Sequence, residues 1–184
     1  SKPYFLLDLG GVILFDQMNT FFDELARESS VTKNPVSRQT IVKYYTDNLR
    51  LPLWSGTIEL DDFWKEILEA SGLYNYIKER QEWNQWLKKI IVPLPASKRL
   101  PELAEQANLI AVSNHRHEWS IPVLENYNLK KYFSKLYISS QTGLVKPDPE
   151  FITDAVRSLD SSDPEIVFVD DKTRNLETVE GIDT

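Results

Sequence analysis

Residues 5–12 read Phe-Leu-Leu-Asp-Leu-Gly-Gly-Val, an apolar run that ends in the carboxylate of Asp8 and leads into two glycines. The run is too short for a typical helix, and apolar and polar residues do not alternate within it. That pattern is typical of a strand buried on both faces of a parallel sheet. The stretch therefore predicts a buried strand that carries a carboxylate at its carboxyl end.

Three further apolar runs, at residues 109–112, 136–138 and 166–169, have the same character, and helical patterns separate them. This alternation predicts an α/β fold. About a hundred residues lie between the first and second runs, far more than one crossover helix needs. Apolar residues recur there at helical spacing over residues 18–28, from Ser37 onward, and over residues 61–70 and 76–91. We predict that residues 15–92 form an inserted helical domain.

Polar side chains follow each apolar run. They are Asp8 after the first, Ser113 and Asn114 after the second, Lys146 beyond the turn that follows the third, and Asp170 and Asp171 after the fourth. Ligands of an open parallel sheet bind beyond the carboxyl ends of its strands, so these groups are expected to converge on one site.

The chemistry of these groups is coherent. Two carboxylates, Asp8 and Asp171, can share a hard cation such as Mg²⁺. A serine hydroxyl and a lysine ammonium suit the oxygens of a phosphoryl group. A carboxylate can also attack phosphorus, which gives an aspartyl-phosphate that water then hydrolyses.

Composition excludes several classes of protein. The chain has 184 residues, of which 41% are hydrophobic and 27% charged, the balance of an ordinary globular protein. Its net charge of −7 argues against a nucleic-acid partner. No apolar stretch approaches the ~20 residues of a membrane-spanning helix, so no membrane partner is expected. The absence of cysteine rules out disulfides and thiol nucleophiles and fits a cytoplasmic location.

Four motifs, in this order, resemble those of the haloacid dehalogenase (HAD)-like hydrolase superfamily. They are Asp8-Leu9-Gly10-Gly11, Ser113-Asn114, Lys146-Pro147-Asp148-Pro149, and Asp170-Asp171 followed by Asn175. Each motif alone is weak, but together they cover both ends of the chain. The turn Trp54-Ser55-Gly56-Thr57-Ile58 is similar to the helical caps of small bacterial sugar-phosphate and glucose-1-phosphate phosphatases.

The resemblance implies a Rossmann-like core of residues 1–14 and 93–184, with the Asp8 strand central and residues 15–92 as the cap. It further implies a Mg²⁺-dependent phosphatase that hydrolyses a small phosphorylated metabolite, a sugar phosphate, through an aspartyl-phosphate on Asp8. By the same resemblance, Ser113, Asn114 and Lys146 bind the phosphoryl group, and Lys146 bridges it to Asp8. The resemblance also implies that Mg²⁺ is held by the Asp8 carboxylate, the Gly10 carbonyl and Asp171. It implies that Asp170 orients these ligands and that Asn175 stands where an acidic residue often supports metal-bound water.

Gly10 departs from the pattern, because most phosphatases of this superfamily carry a second aspartate there. That residue protonates the leaving group and later activates water, and its loss typically costs about 10²–10⁴-fold in rate. Three outcomes remain open: another group or a water substitutes, the leaving group needs little protonation, or the protein binds phosphorylated metabolites without hydrolysing them. Dehalogenation by the same nucleophile is a further alternative, but that branch lacks the acidic pair, so Asp170 and Asp171 argue against it.

Several other residues have two interpretations. His115 and His117 could form a metal site, but a loop and the start of a helix are favoured, and Arg116 is expected at the surface. Arg50 and Trp54 lie in a cap turn that could contact substrate. Residues 181–184 are typical of the approach to a further strand. The sequence does not determine the oligomeric state.

Overall fold

The computed structural model describes residues 1–73 and 80–180. Its sheet is all parallel with the order β3-β2-β1-β4, built from β1 (Tyr4–Leu7), β2 (Asn108–Ser113), β3 (Phe133–Ile138) and β4 (Ile166–Val169). The predicted α/β fold is thus confirmed. Leu7 pairs with Ala111 on one side and Val169 on the other. Asp8 therefore lies between the carboxyl ends of β2 and β4.

Helices fill most of the intervals between the strands. They are α1 (Met18–Ser30), α2 (Arg38–Tyr44), α3 (Arg50–Ser55), α4 (Leu60–Ala70), α5 (Arg80–Ile90), α6 (Leu100–Gln106), α7 (His117–Asn126), α8 (Ser139–Thr142), α9 (Pro149–Arg157) and α10 (Thr173–Glu180). A π-helical turn at Tyr45–Leu49 joins α2 to α3, and short 3₁₀ turns occur at Pro95–Arg99 and Lys130–Tyr132.

Local sequence signals account for several helix ends. The helical segment predicted from Ser37 onward begins with α2, and the Ser37 hydroxyl caps it by accepting a hydrogen bond from the Thr40 backbone N–H. Gly72, with φ of +71°, follows the end of α4. The helices predicted at 18–28 and 61–70 are observed as α1 and α4. The helix predicted at 76–91 is observed as α5, and residues 76–79 and 181–184 lie outside the described ranges.

Two apolar clusters flank the sheet. On one face, Leu6, Ile110 and Val112 pack with Phe151 and Ile152 of α9. On the other face, a larger cluster runs without interruption from the strands into the helices between β1 and β2. It includes Leu7, Leu109 and Ala111 from the sheet, Phe21, Trp64 and Trp83 from the helices between β1 and β2, and Trp119 from α7. The sheet and residues of the helical insert thus share one core.

The two chain segments that enter and leave the helical insert run side by side. Phe15 N–H donates to the Val92 carbonyl and Leu94 N–H donates to the Ile13 carbonyl, each at 2.8 Å, and Leu14 forms an antiparallel bridge with Pro93. The boundaries predicted for the insert, 15 and 92, stay a prediction. Across the described ranges, no helix has the length and apolar character needed to cross a membrane.

The prediction that all four strands are buried on both faces is wrong for β4. Burial alternates along this strand, and Val167 and Val169 remain 38% and 36% exposed. The physical reason is position, because β4 is the edge strand of the described sheet. Ile166 and Phe168 still pack against the cluster that contains α9.

Candidate active site

Asp8, directly after β1, accepts several hydrogen bonds on one carboxylate oxygen. Its Oδ1 accepts from the Leu9 backbone N–H and from the Ser113 hydroxyl, both at 2.8 Å, and lies 3.3 Å from Lys146 Nζ. Asp8 is 7% exposed and borders a cavity. Within the described ranges, Oδ2 accepts no hydrogen bond. A carboxylate held in this way can act as a nucleophile or a metal ligand.

Burial raises the pKa of Asp8 to about 6, and the nearby Asp170 carboxylate acts in the same direction. The Lys146 ammonium and the hydrogen bonds from Ser113 and Leu9 lower this pKa but do not overcome the burial. A cation beside the carboxylate would favour its ionised form.

Lys146 is a buried cation between two carboxylates. Its Nζ lies 2.5 Å from Asp170 Oδ2 and donates to the Val112 carbonyl at 3.0 Å. Asp170 also accepts from the Lys172 backbone N–H at 2.8 Å and from Asn175 Nδ2 at 3.0 Å. Asp170 is therefore hydrogen-bonded to three groups of the chain, the Lys146 ammonium, the Lys172 N–H and the Asn175 amide.

Three carboxylates are arranged so that they can hold a metal ion. One oxygen each from Asp8, Asp170 and Asp171 lies within 4.8 Å of the others, and hard oxygen ligands suit Mg²⁺. Asp171 is less engaged than Asp170, with Lys172 Nζ at 3.5 Å. Gly11 permits its approach, because a β-carbon there would lie 2.3 Å from Asp171 Oδ2, and its φ is +84°.

Asn114 and Asn175 hold the surrounding loops. Asn114 Nδ2 donates to the Lys146 carbonyl at 2.9 Å, and its Oδ1 accepts from the Lys146 N–H at 2.8 Å. Both polar atoms of that side chain are thus engaged with backbone. Asn175 is 4% exposed, and its buried Oδ1 has no partner within the described part of the chain.

A cavity of about 610 Å³ opens in front of Asp8. Asp8, Gly10 and Lys146 border it, and so do residues of the helical insert, among them Arg50 and Trp54. A β-carbon placed on Gly10 would meet no atom within 4 Å. The position of the missing aspartate is therefore open space. Among the sequence-predicted site residues, Gly10, Asn114 and Asn175 border this cavity with Asp8 and Lys146. Ser113 and Asp170 contact Asp8 or Lys146 directly, and an oxygen of Asp171 lies within 4.8 Å of Asp8 and Asp170.

The expectation that Arg116 lies at the surface is wrong, because it is 2% exposed. Its Nη1 donates to the carbonyls of Leu53 at 3.0 Å and Ile58 at 2.9 Å, and its other nitrogens pair with Glu118. Arg116 is buried because it supplies hydrogen bonds to the insert. The last carbonyls of a helix such as α3 have no hydrogen-bond donor within the helix, and the guanidinium donates to carbonyls there. The only feature of the sequence that pointed to this burial was a possible charge partner, Glu118, two residues after Arg116.

A second polar contact joins the insert to the rest of the chain. Asn84 Oδ1, on α5, accepts from the indole N–H of Trp119 on α7 at 2.7 Å and from that of Trp64 on α4 at 3.3 Å. His117 begins α7 as predicted, and its Nδ1 lies 2.8 Å from Ser140 Oγ. Residues 115–119 are thus embedded between the sheet and the insert.

Comparison with known proteins identifies relatives. The family model for haloacid dehalogenase-like hydrolases matches residues 7–182. No curated protein matches at a significant level. Similar solved structures include the HAD family enzyme BT-2542 of Bacteroides thetaiotaomicron in complex with magnesium and inorganic phosphate. It is 21% identical with a TM-score of 0.75, and the match covers 98% of this chain and 90% of that chain.

Two other solved structures are similar. YfnB of Bacillus subtilis, bound to magnesium, is 18% identical with a TM-score of 0.66, over 99% of this chain and 86% of that chain. L-2-haloacid dehalogenase of Xanthobacter autotrophicus is 16% identical with a TM-score of 0.64, and the match covers 98% of this chain and 74% of that chain. At these identities the likeness establishes the fold alone.

Proposed function

The chain belongs to the haloacid dehalogenase-like hydrolase family, and on that premise we propose that it is a Mg²⁺-dependent phosphatase acting on a small phosphomonoester. The observation that carries the proposal is the arrangement around Asp8. Its Oδ1 is held by Ser113 and lies close to Lys146, while its Oδ2, beside a cavity, accepts no hydrogen bond from residues 1–73 or 80–180.

In the proposed reaction, Asp8 attacks phosphorus, forms an aspartyl-phosphate and breaks the bond between phosphorus and the leaving-group oxygen. The leaving oxygen takes its proton from water or from a group of the site other than residue 10. A water molecule then attacks the phosphorus of the intermediate, which releases inorganic phosphate and regenerates Asp8. Lys146 reduces the repulsion between the carboxylate and the anionic substrate, and Ser113 and Asn114 bind the phosphoryl group, Asn114 through its backbone.

Mg²⁺ would be held by Asp8, the Gly10 carbonyl and Asp171, and the residues fit it because three carboxylate oxygens cluster there. When bound, the ion supplies positive charge that offsets charge developing on the phosphoryl oxygens. Asp170 and Asn175 would orient the ligands from behind, since Asp170 already holds Lys146 and Asn175. The magnesium and phosphate complex of BT-2542 supports this assignment.

We assign residues 15–92 to a cap that selects the substrate, on a core of residues 1–14 and 93–184. The cavity volume of about 610 Å³ lies within the range of small-molecule sites. A sugar phosphate of cytoplasmic metabolism is the substrate class that we favour. Dehalogenation fits less well, because the acidic pair Asp170 and Asp171 has no role in a reaction that needs no metal.

A second candidate is a phosphate-metabolite binder without catalytic activity. One observation favours it: no neighbour of Gly10 requires a glycine for reasons of space, since a β-carbon there would be in open space. An aspartate would fit at position 10, so packing does not explain why the general acid is absent there, and a protein that does not catalyse would not need that acid.

The deciding experiment measures phosphate release from nitrophenyl phosphate, glucose 1-phosphate, a hexose 6-phosphate and a nucleotide, with Mg²⁺ and with chelator. Asp8→Asn is expected to abolish release, and the exposed Asp163→Asn serves as the matched control with wild-type rates. Retention of Mg²⁺-dependent release in Asp8→Asn would refute the proposal. Binding of inorganic phosphate without turnover of any substrate would establish the binder instead.

A further inference from the structure

The cavity in front of the nucleophile has more cationic than anionic side chains in its wall. The cations that line it are Arg50, Lys146, Lys172 and Arg174. The carboxylates among its described lining residues are Asp8 and Asp16. Because the chain as a whole has a net charge of −7, the excess of cations is a local property of the cavity and does not follow from the composition.

Two of the four cations already have carboxylate partners. Lys146 lies between two carboxylates, and Lys172 Nζ is 3.5 Å from Asp171 Oδ2. His115 also borders the cavity, but burial lowers its pKa to about 4, so that ring is neutral at physiological pH. The charges of these residues therefore do not account for the excess.

Arg50 and Arg174 are the cations of the cavity that remain unpaired. Within the described ranges, neither guanidinium forms a hydrogen bond or an ion pair, and both side chains are exposed. Arg50 is the first residue of α3, in the insert, and Arg174 is the second residue of α10, which follows β4. Two distant parts of the chain thus each place an unpaired arginine on the cavity that Asp8 borders.

Asp16 does not neutralise either arginine. Its Oδ1 accepts a hydrogen bond from the Met18 backbone N–H at 3.2 Å, and it forms no ion pair with a described residue. The two guanidinium groups therefore keep their full charge toward the cavity, where a cleft with one sign of charge attracts ligands of the opposite sign.

A guanidinium group is suited to binding an anion rather than a hydroxyl group. It stays charged at all physiological pH values and can donate two parallel hydrogen bonds to a carboxylate or a phosphate. The scissile phosphoryl group is assigned to Asp8, Ser113 and Lys146, so these arginines are left for another part of the substrate. The cavity volume of about 610 Å³ leaves room for such a part.

We propose that Arg50 and Arg174 bind a second anionic group, a carboxylate or a phosphate, on the leaving group of the substrate. This inference rests on the proposed phosphatase function and narrows the substrate class to a sugar bisphosphate or a phosphorylated sugar acid.

The test uses three pairs of substrates, and the second member of each pair carries an additional anionic group. The pairs are glucose 1-phosphate with glucose 1,6-bisphosphate, glucose 6-phosphate with 6-phosphogluconate, and glycerol 3-phosphate with 3-phosphoglycerate. The wild type is expected to prefer the second member of at least one pair by about tenfold or more in kcat/KM. A preference in the first pair alone identifies a phosphate, and a preference in the other pairs identifies a carboxylate.

Arg50→Gln and Arg174→Gln are each expected to reduce this preference roughly tenfold, mainly through KM. Arg50→Lys and Arg174→Lys, which keep the charge, should retain part of it. The matched control is Arg157→Gln, which removes an exposed arginine outside the cavity wall and should retain all of it. Added salt should weaken the preference of the wild type, because the arginines are exposed and their charges are screened.

Absence of any preference in the wild type, or equal losses on both members of every pair in the glutamine variants, would overturn the proposal. Thermal unfolding checks that each variant is folded. Mg²⁺-dependent hydrolysis of nitrophenyl phosphate by the wild type tests the phosphatase function separately. If the wild type hydrolyses nothing, calorimetric binding of the same pairs decides, and equal affinities for both members of every pair would overturn the inference.

Discussion

Gly56 and Ser140 approach so closely that a β-carbon on Gly56 would stand 2.1 Å from the Ser140 carbonyl oxygen. Gly56 ends α3 in the left-handed conformation, with φ of +78°, and Ser140 lies in α8. The end of a helix in the insert is therefore seated directly on backbone that follows β3.

The first prediction concerns this contact. Gly56→Ala is expected to lower the free energy of unfolding by about 3 kcal/mol, because it adds a backbone clash to the strain of a positive φ. Gly143→Ala is the matched control, since its φ is +79° but no atom lies within 4 Å of the added carbon, and it should cost about 1 kcal/mol. Urea denaturation of both variants measures the difference, and equal losses would contradict the close packing.

Arg116→Met is expected to destabilise the protein by about 3 kcal/mol. The change leaves the Leu53 and Ile58 carbonyls without their donor and removes the partner of Glu118. Arg157→Met, whose exposed side chain pairs with Glu150 at 3.3 Å, should cost less than about 1 kcal/mol. Chemical denaturation measures both free energies. A small effect at residue 116 would mean that water replaces the guanidinium in these contacts.

Gly10→Asp is expected to raise kcat, because the new carboxylate enters open space at an unstrained backbone position and can serve as a general acid. The gain should be about tenfold or more for substrates with poor leaving groups, such as sugar 6-phosphates, and small for nitrophenyl phosphate. Gly11→Asp, where the β-carbon would clash with Asp171, should inactivate the enzyme. A uniform gain on all substrates would argue against acid catalysis.

Asp171→Asn is expected to weaken Mg²⁺ binding, because it removes one charged ligand from the three-carboxylate cluster. At 100 times the dissociation constant, Mg²⁺ should stabilise the wild type by about 2.7 kcal/mol, and the variant should lose most of this at the same concentration. Thermal unfolding with Mg²⁺ and with chelator measures the shift. Asp163→Asn should keep the full stabilisation, and an unchanged shift in Asp171→Asn would exclude residue 171 as a ligand.

The pH dependence of stability should report the buried histidine. The pKa of His115 is lowered from 6.5 to about 4 in the fold, so the unfolded chain binds more protons between these values. Stability is therefore lost as pH falls from about 6.5 toward 4, by about 3 kcal/mol for this one group. The free energy of unfolding of His115→Gln, measured by urea titration at each pH, should fall by correspondingly less over the same pH interval. Parallel curves for wild type and variant would show that the ring is protonated in the fold.

The sheet and the convergence of the site were predictable from the sequence, because both follow from local patterns. Short apolar runs without alternation predicted the strands, and the rule that ligands bind at the carboxyl edge of a parallel sheet predicted that Asp8, Ser113 and Asp171 would meet. That rule needs only the strand ends and not the details of packing.

The role of Arg116 was not predictable, because its partners are backbone carbonyls more than fifty residues away and carbonyls leave no trace in the sequence. The engagement of Asn114 with the Lys146 backbone was hidden for the same reason. The exposure of Val167 and Val169 on one face of β4 was hidden because it depends on which strand forms the edge of the sheet. An apolar run such as 166–169 does not specify which strands lie beside it.

The contacts of Arg116 and Asn84 also determine where chimeras between proteins of this architecture can be joined. A chimera joined only at residues 14 and 93 would receive a foreign insert that lacks an acceptor for the Trp119 indole and carbonyls placed for the guanidinium. Arg116 would keep Glu118 as its charged partner, but its Nη1 would be buried without an acceptor. Residues 115–119 therefore belong with the insert as one exchangeable module, although the chain places them in the other half of the protein.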